Sequence, residues 1–329
     1  MSHFDWLAEQ AFRQKLEQHW QLYAEAIRAE VDSPKALTDK RDDFLKRFAI
    51  QDQQARTLHV HAPLPPGIDT ARQREASSVL GALPPGSARL LLTFTLETPL
   101  LTRDDTPFHL FDNPVRKDHV LQRPYLAAAT LKGLAVDAYQ RAFPGDRPWS
   151  ELGADEPPRA RHFREQDASA LRLFGSAEGN EAEAEPSQIG RLRWSAVWFD
   201  AVQYLVLNPQ KGDTSSGSLP LQMEALAPGQ TGQLELLYIP CRAEEIGDEA
   251  GIRRDLARLL AALADWWPAL GLGAKRLAGY GQIQPGGAHL QARGWSFSGE
   301  QAIGEHTAQG WEAMAQWLAE QARSEEGSA

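Results

Sequence analysis

Leu270-Gly271-Leu272-Gly273-Ala274-Lys275-Arg276-Leu277-Ala278-Gly279-Tyr280-Gly281 is the stretch around which the rest of the chain reads. Its glycines follow the pattern G-x-G-x5-G-x-G, with two adjacent cations at the centre. Glycine tolerates positive φ and lets one backbone approach another closely. Beside Lys275 and Arg276, such a loop is suited to lie against a phosphate chain. A plain Gly-rich turn between a helix and a strand fits the same residues. No G-K-[ST] follows and no strand leads in, which excludes a Walker loop and a dinucleotide fingerprint.

Working outward, the loop has a helix before it and a strand after it. Gly251–Trp267 repeats apolar residues at helical spacing (Ile252, Leu256, Leu259, Leu260, Leu263, Trp267), and Pro268 is expected to end it. A strand is expected over Tyr280–Gln284 and a last helix over Ala308–Arg323. Upstream, Arg89–Glu97 reads as a strand and Thr130–Phe143 as a helix stopped by Pro144-Gly145. Arg191–Val206 alternates as one long strand or two, and Leu234–Ile239 is another. The order strand, helix, strand, strand, helix, strand predicts an α+β fold with a ferredoxin-like (RRM-like) βαββαβ core. The sheet face of that fold commonly serves RNA recognition.

Three parts are expected along the chain. Residues 1–88 read as a helical appendage, with apolar residues at helical spacing over 3–30, a short helix over Asp39–Phe48, and a loop-rich linker. His59 and His61 flank Val60 there, and the alternation fits a solvated strand edge better than a metal pair. Residues 89–299 form the main domain with an acidic insertion near 150–189, and 300–329 hold the last helix and an acidic tail.

The 329 residues are 42% hydrophobic with ten tryptophans, a folded composition. The lone Cys241 excludes an intramolecular disulfide and a cysteine zinc cage, and fits a cytoplasmic location. Neither a signal peptide at Met1–Glu9 nor a membrane-spanning run is expected, and so no membrane partner. Net charge is -10, which argues against a free-standing nucleic-acid binder. Yet Phe111–Gly133 carries four cations against two acids, and a local basic surface suffices for a protein working inside an assembly.

Three stretches, in order, resemble the RAMP superfamily of CRISPR-associated proteins. Phe111-Asp112-Asn113-Pro114-Val115-Arg116-Lys117-Asp118, then Arg123-Pro124-Tyr125-Leu126-Ala127-Ala128-Ala129-Thr130-Leu131-Lys132-Gly133, is similar to "I-D-x-P-V-x-[KR]-D … P-Y-I-P-G-S-S-L-K-G". Leu173-Phe174-Gly175-Ser176 with Gly190-Arg191-Leu192 is similar to "L-F-G … G-R-L", and the Gly-rich loop to "G-G-x-x-[ST]-x-G-[YF]-G". The resemblance spans about residues 89–285 and leaves out 1–88. It departs at Ala127-Ala128-Ala129, where the family has Pro-Gly-Ser and a hydroxyl that faces the guide RNA. Thr130, Lys132 and Gly133 are kept, and a helix N-terminus holds a phosphate through backbone N–H groups without a side chain.

The resemblance is greatest to RNA-wrapping subunits of type III effector complexes, the Csm and Cmr families. It implies CRISPR guide RNA, target RNA and other effector-complex subunits as partners. Phosphate contacts are expected from Lys132, Lys275, Arg276, Arg116, Lys117 and Arg123, with Thr130, Gly133, Gly271, Gly273, Gly279 and Gly281 shaping the groove. Asp112 matches the aspartate that cleaving members require, where a carboxylate assists attack of a ribose 2′-OH, directly or through Mg2+. Asp112 equally suits a turn cap before Asn113-Pro114. No permanently bound cofactor is expected. His109 and His119 flank the same loop as surface residues or general bases, and Asp104-Asp105 read as a solvated acidic turn. Asn208–Ser218, with Lys211, is either an inserted finger or a plain hairpin tip. Trp194, Trp198, Trp266 and Trp267 read as core rather than stacking platforms. The expected function is guide-RNA binding, with target cleavage at Asp112. The alternatives are a non-catalytic end-cap subunit docked through 1–88 and a guide-processing endoribonuclease.

Overall fold

A computed structural model describes residues 57–59, 79–104, 113–118, 123–144, 167–176, 188–207, 221–246, 248–296 and 303–326. The expected helices within 3–48 therefore lie outside the described residues, as do the acidic loop Glu178–Pro186 and the loop Asn208–Pro220. In chain order the elements are β1 (Thr57–His59), β2 (Ala88–Leu96), β3 (Tyr125–Leu126), α1 (Ala128–Ala142), α2 (Ala168–Phe174), β4 (Leu192–Trp194) and β5 (Val197–Trp198). Then come β6 (Ala201–Leu207), β7 (Leu221–Leu226), β8 (Thr231–Tyr238), α3 (Glu249–Leu270), β9 (Ile283–Arg293), β10 (Ile303–Ala308) and α4 (Trp311–Glu326). Among the described residues no helix is long and apolar enough to cross a membrane.

The chain divides into two compact units, neither of them one continuous stretch: Met1–Ala62 with Leu101–Pro124 and Asp200–Ala227, and the remainder. The smaller unit holds the antiparallel sheet β1-β6-β7.

The larger unit holds an antiparallel five-stranded sheet in the order β10-β9-β2-β8-β4. Leu90, Leu92, Phe94 and Leu96 alternate onto one buried face of β2, as a period of two requires. Leu234, Leu236 and Tyr238 do the same on β8. Helices cover that face: the Trp311 ring of α4 meets Phe94 edge-on at 6.3 Å and Trp267 of α3 at 5.9 Å. The Trp311 indole N–H donates to the Thr93 carbonyl at 3.0 Å. The apolar stripe expected on α3, from Ile252 to Trp267, is the buried one.

Several local expectations are corrected. α3 runs on to Leu270 with Pro268 inside its last turn, and Gly271 ends the helix instead. The alternating stretch 191–206 breaks into β4, β5 and β6. The strand after the Gly-rich loop starts at Ile283 and runs to Arg293, and it pairs with β10, which periodicity did not reveal. β10 reads IGEHTA, too polar an edge strand to carry a hydrophobic signal. β7 was missed too.

The L-F-G and G-R-L stretches meet where two backbones cross. A Cβ on Gly175 would lie 2.5 Å from the Gln188 carbonyl oxygen, and one on Gly190 2.5 Å from the Phe174 carbonyl carbon. The next residue, Arg191, is 2% exposed and bonds the Glu245 carboxylate, its Nε lying 2.7 Å from Oε2. Asp167 caps α2 through the N–H groups of Ser169 and Ala170 and also pairs with Arg258 of α3 at 2.6 Å.

Candidate nucleic-acid interface

The Gly-rich loop is a backbone-on-backbone construction. Leu272 N donates to the Gly281 carbonyl at 2.7 Å, and Gly281 N donates to the Pro99 carbonyl at 2.9 Å. A Cβ on Gly281 would sit 1.9 Å from the Leu272 carbonyl oxygen, and one on Gly271 3.0 Å from that of Tyr280. Both residues have positive φ, as do Gly273 and Gly279. At the tip, Arg276–Ala278 makes one turn of 3-10 helix, closed by bonds from Ala278 N to the Lys275 carbonyl and from Gly279 N to that of Arg276, both 2.9 Å. Lys275 enters this turn in the left-handed region (φ 55, ψ 31), the one non-glycine among the described residues to do so. Lys275 and Leu277 are exposed.

α1 presents a complementary surface. Its N-cap, Ala127, is extended and no side chain caps it. The first turn carries no acid, so the partial positive charge of the helix end is not neutralised there. Thr130 and Gly133 are exposed, Lys132 is half-buried, and among the described residues no atom outside its own helix turn lies within 4 Å of where a Gly133 Cβ would be. Thr130, Gly133 and Asp137 share one helix face by their i, i+3, i+7 spacing. The Arg276 guanidinium lies 3.8 Å from the Asp137 carboxylate. This contact sets the Gly-rich turn beside the face carrying Thr130 and Gly133, so residues some 140 positions apart form one surface. Uncapped helix N–H groups, Lys132, Lys275 and an open glycine are the parts from which an anion site is made.

The other expected cations lie in the smaller unit, where Lys117 and Arg123 stand in ion pairs. Lys117 donates to both Glu224 oxygens at 2.9 Å, with the two side chains 9% and 0% exposed. Arg123 pairs with Asp200. Arg116, half-buried, donates its backbone N–H to Thr102 Oγ1 at 2.9 Å. Lys117 and Arg123, expected as phosphate contacts, hold Glu224 and Asp200 in this structure.

Glu224 was not singled out from sequence. It is the acid inside the mostly apolar strand LQMEAL, and that mismatch was its one signal. Its carboxylate also accepts from Val115 N at 3.0 Å, while its backbone N–H donates to the Asn113 carbonyl at 3.0 Å. Asn113 Nδ2 donates to the Thr102 carbonyl at 2.7 Å. The segment Asn113–Lys117 is thereby strapped to β7. Asp112 itself lies outside the described residues, together with Asp105, His109, His119 and Lys211. Glu224→Ala is expected to cost about 3–5 kcal/mol, because it strands a buried ammonium. Chemical denaturation checks this, and a loss below about 1 kcal/mol would show that the strap does not depend on the pair.

The sheet face opposite the helices offers no stacking platform. Arg89 grips Glu235 through two nitrogens at 2.9 and 3.0 Å and donates to Gln291 at 3.0 Å. Gln291 in turn donates to Glu305 at 2.6 Å. This network satisfies itself, and no Phe, Tyr or Trp of β2, β4, β8, β9 or β10 points from that face among the described residues. Of the tryptophans, Trp267 is fully buried, while Trp194, Trp198 and Trp266 are half-buried, Trp198 lying 5.2 Å from the Tyr125 ring. No group of three or more potential metal-ligating side chains occurs among the described residues.

Residues 93–284 match the model of the RAMP superfamily. No curated protein matches the sequence. Among solved structures, the chain is similar to one of a type III-B Cmr-beta complex bound to cognate target RNA: 18% identity, TM-score 0.46, 77% of this chain and 75% of that one. It is also similar to a Csm3-Csm4 subcomplex of a type III-A CRISPR-Cas interference complex, with 13% identity, TM-score 0.40 and coverage of 71% and 95%. For a type IV-B CRISPR complex the values are 15%, 0.36, 60% and 89%.

Proposed function

The chain belongs to the RAMP superfamily, and from that premise we propose that it is a guide-RNA-binding subunit of a type III CRISPR effector complex. The observation that carries the reading is the approach of Arg276 to Asp137, at 3.8 Å, which makes one surface of the Gly-rich turn and the N-terminal half of α1. RNA phosphates would meet the N–H groups of the α1 end, Lys132 and Lys275 there. The space beside Gly133 lets a sugar–phosphate backbone lie against the helix. In chain order the main strands are β2, β4, β8 and β9, and in space they stand β9-β2-β8-β4, with α1 after β2 and α3 after β8. That 4-1-3-2 order supports a ferredoxin-like core. Its RNA surface is the helix end and turn rather than the sheet face.

A catalytic reading adds target-RNA cleavage at Asp112. It is favoured by the strap that fixes the chain immediately after this residue, Asn113–Lys117, on Glu224. An ionised Asp112 there would take the 2′-OH proton as that oxygen attacks the adjacent phosphorus and the 5′-oxygen leaves, or would hold Mg2+ that makes the 2′-OH more acidic. The competing reading is a non-catalytic end-cap subunit whose residues 1–88 dock a neighbouring protein.

One experiment addresses both levels. Purified full-length protein is titrated with single-stranded RNA at several salt concentrations. Lys132→Ala and Lys275→Ala should each weaken binding evenly across sequences and flatten the log–log salt slope by about 0.7–1. RNA affinity unchanged in both variants sinks the surface. In the assembled complex with target RNA and Mg2+, Asp112→Ala should abolish cleavage, and cleavage unchanged at every position leaves the end-cap reading.

A further inference from the structure

Leu277 is the most exposed large apolar residue among those described, at 107% of its reference area, against 70% for Ile189, the next. Single exposed apolar side chains are common and usually lean on a neighbour. Among the described residues Leu277 leans on nothing. It contributes nothing to the core, so folding does not require an apolar residue there.

The turn that holds it is costly to build. Lys275 adopts the left-handed conformation that side chains disfavour, a strain of about 1–3 kcal/mol of the kind that clusters at ligand-binding and active sites. The turn is closed by its two 2.9 Å hydrogen bonds and anchored through the crowded Gly271–Gly281 crossing. Arg276, the neighbour of Leu277, faces Asp137 of α1. Lys275, two residues before Leu277, is exposed. An apolar side chain thus stands on a hydrogen-bonded tip, next to a residue that faces α1 and two positions from an exposed cation.

We infer that Leu277 packs against the face of a nucleobase of the RNA strand whose phosphate is held by Lys275. This rests on the proposed RNA-binding surface and adds to it a contact to the base rather than to the backbone. The occupant is single-stranded RNA because exposed Lys275 offers a cation to a phosphate and the leucine offers an apolar surface to a base. A nucleotide offers both about one sugar apart, and every base has a π-face, so the contact is indifferent to sequence. A turn already held by its own hydrogen bonds loses little entropy on binding.

The test uses full-length protein and single-stranded RNA carrying one 2-aminopurine, moved along the strand. Wild-type protein should change the fluorescence sharply at one position. Leu277→Ala, which touches nothing in the fold, should remove that change and lower affinity about tenfold with an unchanged salt slope. Lys275→Ala should instead flatten the slope. With an abasic residue at that position, wild type and Leu277→Ala should bind equally. Leu277→Ala that keeps both the fluorescence change and the affinity overturns the inference. So does a Leu277→Ala defect confined to joining other subunits, which would make the tip a protein contact. If Lys132→Ala and Lys275→Ala are also without effect, the RNA-binding surface itself has failed, a separate outcome.

Discussion

Gly281→Ala is expected to destabilise the larger unit by about 3–4 kcal/mol, measured as a lowered denaturation midpoint, and to weaken RNA binding with it. Two costs combine. The residue has φ 72, where a Cβ costs about 1–2 kcal/mol. The new methyl would also stand 1.9 Å from the Leu272 carbonyl oxygen, a backbone atom with no rotamer to change. Relief requires parting Leu272 N from the Gly281 carbonyl or Gly281 N from that of Pro99. Gly279→Ala is the internal control: its φ of 82 carries the first cost, but nothing lies within 4 Å of the new atom. If the two substitutions prove equally mild, the crowding at 281 does not hold the loop together.

Arg191→Ala should cost about 3–5 kcal/mol at neutral pH, since it leaves a largely buried carboxylate without its partner. The two side chains are 2% and 9% exposed, and Glu245 also accepts from the N–H groups of Cys241 and Arg242 at 2.9 and 3.3 Å. Burial alone would push the Glu245 carboxyl up. The Arg191 hydrogen bonds and charge, with those two backbone donors, bring it net below the ordinary glutamate value. A carboxyl depressed in the folded state contributes stability above its unfolded value, near about 4.3, and that contribution is lost as pH falls through the folded value. Wild type should therefore lose stability on acidification below about pH 4 more steeply than Arg191→Ala, and the gap between them should narrow. A gap that stays constant from pH 7 to 3 would exclude the pair as its source. Arg191→Lys should fall between, because an ammonium cannot reproduce the two-nitrogen grip.

The elements with strong, local periodicity were legible in the chain. The stripe from Ile252 to Trp267 is α3, and the alternation from Leu90 to Leu96 is the central strand. β10 was not legible, because an edge strand needs no apolar run. Neither was the extension of α3 past Pro268, since the effect of a proline depends on its distance from the helix end. The cations show the same divide. Lys132 is half-buried on α1 and Lys275 exposed on the turn. Lys117 and Arg123 look identical to them in sequence, yet Glu224 and Asp200 claim them from more than seventy positions away.

By itself, then, the sequence determined the family, the order of the main elements, and the loop Gly271–Gly281 as a place of close backbone contact. Each depends on residue type and spacing over a dozen positions, which one-dimensional order preserves. The tertiary structure alone decided which charges are held by an acid distant in sequence. A cation's availability depends on what stands within a few ångströms of it, and a chain that folds back brings those neighbours from anywhere. The Gly-rich turn meets α1 through Arg276 and Asp137, and Leu277 is left facing solvent. Neither fact has a signature in the order of the residues.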